Sequence, residues 1–283
     1  MRTLTTAQKI ALARMACWVV LRFRKIWGRS AYVVVKRSGL LWDLDLTEGI
    51  DFSIYLLGAF EPRTQRLFKR ILKPGDTVLD IGANIGAHTL PLAVLAGEQG
   101  RVIAFEPTGY GVNKMRANIR LNEELSSRIV ICQAMLVAKE HEPLAAEAYA
   151  RWPLFDRGRE IHGNLRGQLM DTRGAVAMTL DQALHRLEAK RVDFIKLDVD
   201  GHEWSVLAGA KETLNQWKPP ILMELCPYMY ESQPRRFDDM LELLGGLGYF
   251  LRDANTGKAL PLEPAELRKL IRVGSSRNGL LHR

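Results

Sequence analysis

Two short runs hold residue types from which chemistry can be built. The first, Asp76-Thr77-Val78-Leu79-Asp80-Ile81-Gly82-Ala83-Asn84-Ile85-Gly86, ends an apolar strand in an acid and turns on glycine into a helix. A pyrophosphate-binding turn wants G-x-G-x-x-G and no carboxylate against the phosphates; here the glycines fall at 82 and 86, and Asp80 would repel a phosphate. An acidic strand end beside a flexible turn suits a cationic ligand. S-adenosylmethionine, with its sulfonium and ammonium groups, meets that description. Gly82 would let the backbone approach it, and the helix start after Asn84 would bind its carboxylate. The second run, Val102-Ile103-Ala104-Phe105-Glu106-Pro107, ends in a carboxylate twenty residues after Gly86. An acid there can accept both ribose hydroxyl hydrogens. In this order and spacing, the two runs predict an adenosyl-binding site.

Elements must hold these residues at one rim. Strands are expected at 77–81, 101–106, 129–133, 193–198, 221–225, 249–252 and 279–282, with helices at 85–96, 109–122, 180–188, 203–217 and 234–244 between them. Such alternation reads as an α/β fold with a doubly wound, mostly parallel, seven-stranded Rossmann-like sheet, which carries ligands at strand C-terminal ends. Upstream, 32–36 and 40–46 read as a hairpin, and 48–58 and 62–72 as helices, the latter with proline in its first turn. Residues 5–27 read as a basic amphipathic helix with an apolar stripe of Leu12, Met15, Val19, Phe23 and Ile26. It packs on the body or a homodimer partner, or lies on an anionic membrane surface. The expected organisation is a leading helix over 1–30, a hairpin and helical cap over 31–75, and the ligand-binding domain over 76–283. Residues 139–175 break the rhythm with Arg151, Trp152, Arg157, Arg159, His162, Arg166 and Arg173, which reads as a substrate loop or lid.

Composition narrows the class. A chain of 283 residues, 47% hydrophobic and 25% charged, can bury a full core, which excludes a disordered or collagen-like protein. Its net charge of +8 is concentrated: residues 1–30 carry +7 and no acid, while the rest carry 33 basic and 32 acidic side chains. A nucleic-acid enzyme more often spreads basic residues around its substrate channel, so this distribution argues against such a partner. Cys17, Cys132 and Cys226 lack any paired spacing and sit among apolar residues, as expected of free thiols in a reducing cytoplasmic compartment. Between Arg14 and Arg22 lie only seven uncharged residues, too few to span a bilayer, and no cleavage site for a leader follows.

The run Asp193-Phe194-Ile195-Lys196-Leu197-Asp198-Val199-Asp200-Gly201-His202-Glu203 completes a pattern. Together with Val78–Thr89, Phe105-Glu106-Pro107 and Thr179-Leu180-Asp181, it resembles the FkbM-type family of S-adenosylmethionine-dependent methyltransferases over roughly residues 45–255. The resemblance implies a class I methyltransferase fold and O-methylation of sugars, polyketides and other small or glycan hydroxyls. It places Asp80, Gly82, Asn84 and Gly86 in the methionine-side loop, Glu106 at the ribose, and 198–203 on the family's D-x-E-G-x-E run. Asp200 stands where the family usually has Glu, which keeps a carboxylate but shortens its reach.

Methyl transfer is an in-line displacement in which positioning does much of the work, and an alcohol nucleophile also needs a proton acceptor. His202 is the candidate base because its ordinary pKa lies near neutrality; the alternative is a histidine that merely starts the next helix or faces solvent. Glu203 either orients His202 or the substrate, or only favours the helix dipole. Asp198 and Glu224 can present two carboxylates over one rim. In a related branch of O-methyltransferases, acids at these strand ends bind Mg²⁺; the alternative is hydrogen bonding to substrate. Gln133 meets the adenine edge or is a satisfied strand-end amide, and His88 reads as a packing residue. Methyltransferases of nucleic-acid amino groups often carry an Asn/Asp-Pro-Pro-aromatic run after the fourth strand. Asp198-Val199-Asp200-Gly201 stands there instead, and Pro219-Pro220 precedes the fifth strand, which argues for an oxygen nucleophile. The expected activity is therefore O-methylation of a sugar, glycolipid or polyketide-like hydroxyl. RNA or protein methylation is the alternative enzyme, and a membrane-associated binding module the non-catalytic one.

Overall fold

The computed structural model describes residues 6–155, 167–272 and 274–283. Of the loop residues singled out above, Arg157, Arg159, His162 and Arg166 lie outside that set. The chain opens with helix α1 (Thr6–Ile26), followed by the hairpin β1 (Tyr32–Arg37) and β2 (Leu40–Asp45). Ser38 and Gly39 both take positive φ, as a tight two-residue hairpin turn requires. Helices α2 (Gly49–Leu57) and α3 (Pro62–Ile71) complete the N-terminal part. Then come β3 (Thr77–Ile81), α4 (Thr89–Ala96), β4 (Arg101–Phe105), α5 (Gly109–Arg120), β5 (Ile129–Cys132) and β6 (Ala134–Leu136). The interval without clear period holds an antiparallel pair, β7 (Glu147–Arg151) and β8 (Gln168–Asp171), followed by β9 (Val176–Met178) and α6 (Leu180–Arg186). The chain ends with β10 (Phe194–Leu197), α7 (Glu203–Ala208), α8 (Lys211–Gln216), β11 (Ile221–Leu225), α9 (Pro234–Gly246), β12 (Phe250–Asp253), β13 (Ala259–Leu260), α10 (Pro264–Leu270) and β14 (Arg277–His282).

The central sheet runs β13-β12-β14-β11-β10-β3-β4-β5. Strands β5, β4, β3, β10 and β11 are parallel; β14 enters antiparallel between β11 and β12. The seven expected strands are all present, and the two-residue β13 adds an eighth at the edge. The apolar runs of the central strands reflect burial on both faces. Leu79, Ile81, Ile103, Phe105 and Ile195 face one core, whereas Val78, Val102, Ala104, Phe194 and Leu222 face the other, which also takes in Trp42, Leu44 and Phe52 from the N-terminal part. The hairpin is joined to the sheet layer by two asparagines that imitate a strand edge, Asn118 in α5 and Asn122 just beyond its end. Asn118 Oδ1 accepts from Asp43 N–H at 2.9 Å, and Asn122 both accepts from Leu41 N–H at 2.9 Å and donates to Leu41 O at 2.8 Å.

Three helices depart from expectation. The helix expected from residue 85 begins only at Thr89, because Asn84 and Gly86 both take left-handed backbone and coil the connection first. The expected helix over 203–217 breaks at Gly209-Ala210. A Cβ on Gly209 would sit 2.2 Å from Val137 O, so the backbone presses on the neighbouring loop there, and α8 restarts with Asp181 accepting from the N–H groups of Glu212 and Thr213. Helix α1 is also rotated from its expected packing. Cys17 is buried, with Ala13, Ala16, Val20 and Leu21 packed around it against the body, while Leu12, Met15, Trp18, Val19, Phe23 and Ile26 stay exposed. Small side chains let the helix approach closely, and that decides the face. Among the described residues no helix is long and apolar enough to cross a membrane.

Candidate active site

The C-terminal ends of β3, β4, β10 and β11 open into a cleft of about 420 Å³. Its roof comes from the chain around β7, which is stapled to the N-terminal part. Gly49 N–H donates to Trp152 O at 2.8 Å, Leu154 N–H donates to Thr47 O at 2.8 Å, and Arg151 pairs with the buried Glu48 while lying over the Tyr110 ring. Part of the Arg-rich interval thus covers the cleft, although Arg151 itself is committed to holding the roof in place.

Four strand ends supply the chemistry. Gly82, Asn84, Glu106, Asp198, Asp200, His202 and Glu224 all line the cleft. Gly82 has φ +80°, and a Cβ there would lie 1.8 Å from Asp198 O, so the turn after β3 and the end of β10 touch backbone to backbone. Asn84 donates its backbone N–H to Glu106 Oε2 at 3.0 Å and its side-chain amide to Ala150 O at 3.0 Å. Glu106 also accepts from Thr108 N–H at 2.9 Å and the Thr108 hydroxyl at 2.5 Å, so its carboxylate is rigidly aimed. Burial pushes its pKa up, and these donors oppose the shift.

Lysine in the middle of an apolar strand is rare unless paired. Lys196 Nζ lies 3.6 Å from Asp80 Oδ1, 3.4 Å from Asp198 Oδ2 and 3.2 Å from Gly82 O. Burial works against its charge, but Asp198, Asp80 and Glu61 outweigh it and raise its pKa. Asp80 is wholly buried beneath the cleft rather than in its wall, with the Thr89 hydroxyl donating to Oδ2 at 2.6 Å. Its charge is met by Lys196, so the direct counter-charge role expected for it is corrected to a floor residue that holds Lys196 and Thr89.

Three further expectations change. Glu203 is buried outside the cleft lining; its carboxylate accepts from the N–H groups of Val199 and Gly201 and from the Tyr230 hydroxyl at 2.5 Å. It clamps the 199–203 turn from behind, with its oxygens turned to Val199, Gly201 and Tyr230. Gln133 donates to Arg173 O at 3.0 Å and lies off the cleft, where Ala134, Met135 and Leu136 form the wall instead. Gly86 also lies off the cleft; a Cβ there would press on Leu90 and Met115, so its glycine serves packing.

The rim is acidic. Asp198, Asp200 and Glu224 each offer a carboxylate oxygen within 4.8 Å of the others. Burial, then the repulsion of Asp198, pushes Asp200 and Glu224 well above the ordinary carboxylate range. Glu61 joins them from the start of α3, raised by the same two causes. Sequence spacing held no sign of Glu61, because only the tertiary fold brings the N-terminal part over the strand ends. His88 is buried between the Phe60 and Phe68 rings, lines the cleft, and is kept neutral by burial and then by Lys196.

The site fits S-adenosylmethionine. Among the described residues Asn84 Oδ1, in the cleft lining, is a buried acceptor with no hydrogen-bond donor, as a ligand bearing an ammonium group at this turn would require. The aimed Glu106 suits ribose hydroxyls, and an acidic rim suits a sulfonium. The Methyltransferase FkbM domain matches residues 80–251, whereas no curated protein matches the chain. Among solved structures, the chain is similar to methyltransferase FkbM from Methylobacillus flagellatus KT at 15% identity, covering 77% of this chain and 50% of that one, with a TM-score of 0.44. It is similar to a SAM-dependent methyltransferase from Aquifex aeolicus at 15% identity, covering 78% and 88%, with a TM-score of 0.40. It is also similar to precorrin-6y C5,15-methyltransferase from Geobacter metallireducens GS-15 at 12% identity, covering 79% and 89%, with a TM-score of 0.43. With the family match spanning more than half of its length and the strand-end site in place, the chain belongs to the FkbM family of S-adenosylmethionine-dependent methyltransferases.

Proposed function

We propose that this methyltransferase acts on a hydroxyl of a sugar, glycolipid or polyketide-like metabolite. The observation that carries the reading is the charge of the cleft. Among the described residues its lining includes Glu61, Glu106, Glu147, Asp198, Asp200 and Glu224, against Lys196 as the one lysine or arginine. A wall of hydrogen-bond acceptors suits a neutral polyhydroxyl acceptor and repels a phosphodiester backbone, whose binding rests on Lys and Arg contacts. Bound S-adenosylmethionine supplies an electrophilic methyl group on a sulfonium. The protein's share is to hold the acceptor oxygen in line, about 3–3.5 Å from that carbon. Asp198, half-exposed on the rim, accepts a hydrogen bond from the acceptor, and His202, exposed at the start of α7, takes the hydroxyl proton.

A second reading is favoured by the 4.8 Å clustering of Asp198, Asp200 and Glu224, an oxygen set suited to a hydrated Mg²⁺ that would acidify the hydroxyl. One experiment separates the two: turnover of a hydroxyl acceptor by His202→Ala, with and without EDTA. Loss of about 10²–10⁴ in rate without chelator sensitivity supports His202 as the base. A mild His202 effect with severe chelator sensitivity supports the cation. Methyl label from the cofactor appearing in RNA or protein, with none in small metabolites, would overturn the acceptor assignment.

A further inference from the structure

The face that α1 turns away from the body is apolar where a soluble helix is normally polar. Met15, Trp18 and Phe23 are 62%, 61% and 61% exposed, and Leu12, Val19 and Ile26 extend the patch along the helix. Trp27 follows at 74%, and Tyr32 and Val34 of the next strand are exposed at 65% and 57%. At helical spacing Leu12, Met15, Trp18, Val19, Phe23 and Ile26 share one side, with Arg22 and Lys25 among them or at their edge. Arg22, Lys25 and Arg29 are exposed cations. The opposite side, centred on Cys17, is the one that packs on the core. A helix already fixed by its small-residue side does not need this apolar face for folding, and leaving it in water is unfavourable.

We propose that this face docks the protein on an anionic lipid bilayer, with α1 lying in the interface plane. Charge selects that occupant over a second copy of the chain. Residues 1–42 contain nine Lys and Arg and no acid, while residues 43–283 carry 31 basic and 32 acidic side chains. Two copies meeting through α1 would bring like charges together, and the remainder of the chain carries almost no net countercharge to offset them. Anionic headgroups supply the countercharge while the acyl boundary receives the apolar face, and Trp18 and Trp27 have the amphipathic rings that settle at that depth. The same helix contributes Ile10 to the cleft, so docking brings the site within about a helix diameter, ~10 Å, of the bilayer surface. An amphiphilic acceptor would then be within reach; that consequence rests on the function proposed above, whereas docking does not.

The test is co-sedimentation of the full chain with vesicles of phosphatidylcholine alone and of phosphatidylcholine mixed with phosphatidylglycerol, at low and high salt. Binding to the mixed vesicles that falls with salt is expected. Replacing Arg22, Lys25 and Arg29 with Gln should weaken it on the order of 100-fold, from a few-fold for each cation near the surface. Trp18→Glu combined with Phe23→Glu should abolish it. Cofactor affinity of each variant, measured by calorimetry, shows that the fold persists and keeps docking separate from the methyl-transfer reading. No binding to mixed vesicles at low salt, or binding untouched by the glutamate pair, overturns the proposal. So does a stable dimer by analytical ultracentrifugation that the glutamate pair dissociates, since the face would then belong to a second copy.

Discussion

Replacing Lys196 with Met removes the one cation that compensates a fully buried carboxylate. Asp80 has no exposure, and Lys196 Nζ 3.6 Å away is the ion-pair partner it has. The isosteric loss of charge leaves Asp80 held only by the Thr89 hydroxyl. Breaking a buried pair by deleting one partner costs about 3–5 kcal/mol, because the stranded charge must be protonated or hydrated. For a chain of this length that is on the order of 5–8 °C in Tm, taking about 2 cal/mol/K of unfolding entropy per residue. The pH dependence follows from the directions of the shifts. Burial already raises the pKa of Asp80, and Lys196 opposes the rise. Without Lys196 the rise is larger, so the penalty is absent at low pH, where Asp80 is neutral in both states, and grows as pH rises past the unfolded carboxylate pKa. Denaturant unfolding at pH 5 and pH 7 should therefore show Lys196→Met recovering at the lower value, and Asp80→Asn in the same chain should recover much of the loss at pH 7. A Lys196→Met protein within about 1 kcal/mol of the wild type at pH 7 would refute the pairing argument.

Glu106→Gln keeps shape but removes charge, so S-adenosylmethionine affinity by calorimetry should fall about 10- to 150-fold, the range for a hydrogen bond to a charged group; unchanged affinity removes Glu106 from the ribose. Gly82→Ala puts a Cβ 1.8 Å from Asp198 O at φ +80°. It should cost roughly 2–6 kcal/mol in strain and overpacking by denaturant titration, and a normally stable variant contradicts the backbone contact. Glu203→Gln should lower Tm yet leave kcat of the folded enzyme within a few-fold, since the carboxylate ties Val199, Gly201 and Tyr230 together; a large kcat loss at unchanged Tm restores it to the chemistry. Asp51 is pushed up from 3.8 to about 6, by burial first, with Lys114 pulling the other way. Its stabilising contribution is therefore full below the unfolded pKa and is lost as pH rises through the folded one, by about 3 kcal/mol at 1.36 kcal/mol per unit. Melting curves of wild type and Asp51→Asn should diverge accordingly between pH 4 and 7, and parallel curves would count against the shift.

Local patterns in the chain already specified the strands, most helices and the residues Gly82, Asn84 and Glu106 that meet in the cleft. Short runs such as Val102–Phe105, bounded by turn residues, read as strands buried on both faces, and the acid or glycine that follows them marks the strand end where a ligand can sit. Lys196 was missed at the sequence level, although a charge inside the apolar run Phe194–Leu197 is the signal that could have found it; its partners are set by the fold alone. The tertiary structure alone decided which way each polar group points. Asp80 and Glu106 both stand at or near the ends of neighbouring parallel strands; one became floor and the other wall, because Asp80 lies inside β3, level with Ala104, whereas Glu106 follows the last residue of β4 at the rim. Glu61 entered the rim because the N-terminal part folds over the strand ends, a contact no local spacing encodes. Helix α1 shows the same division. Periodicity correctly located an apolar stripe, but the face that packs is chosen by how closely it can approach, and the small side chains around Cys17 approach closer than a row of Met, Trp and Phe.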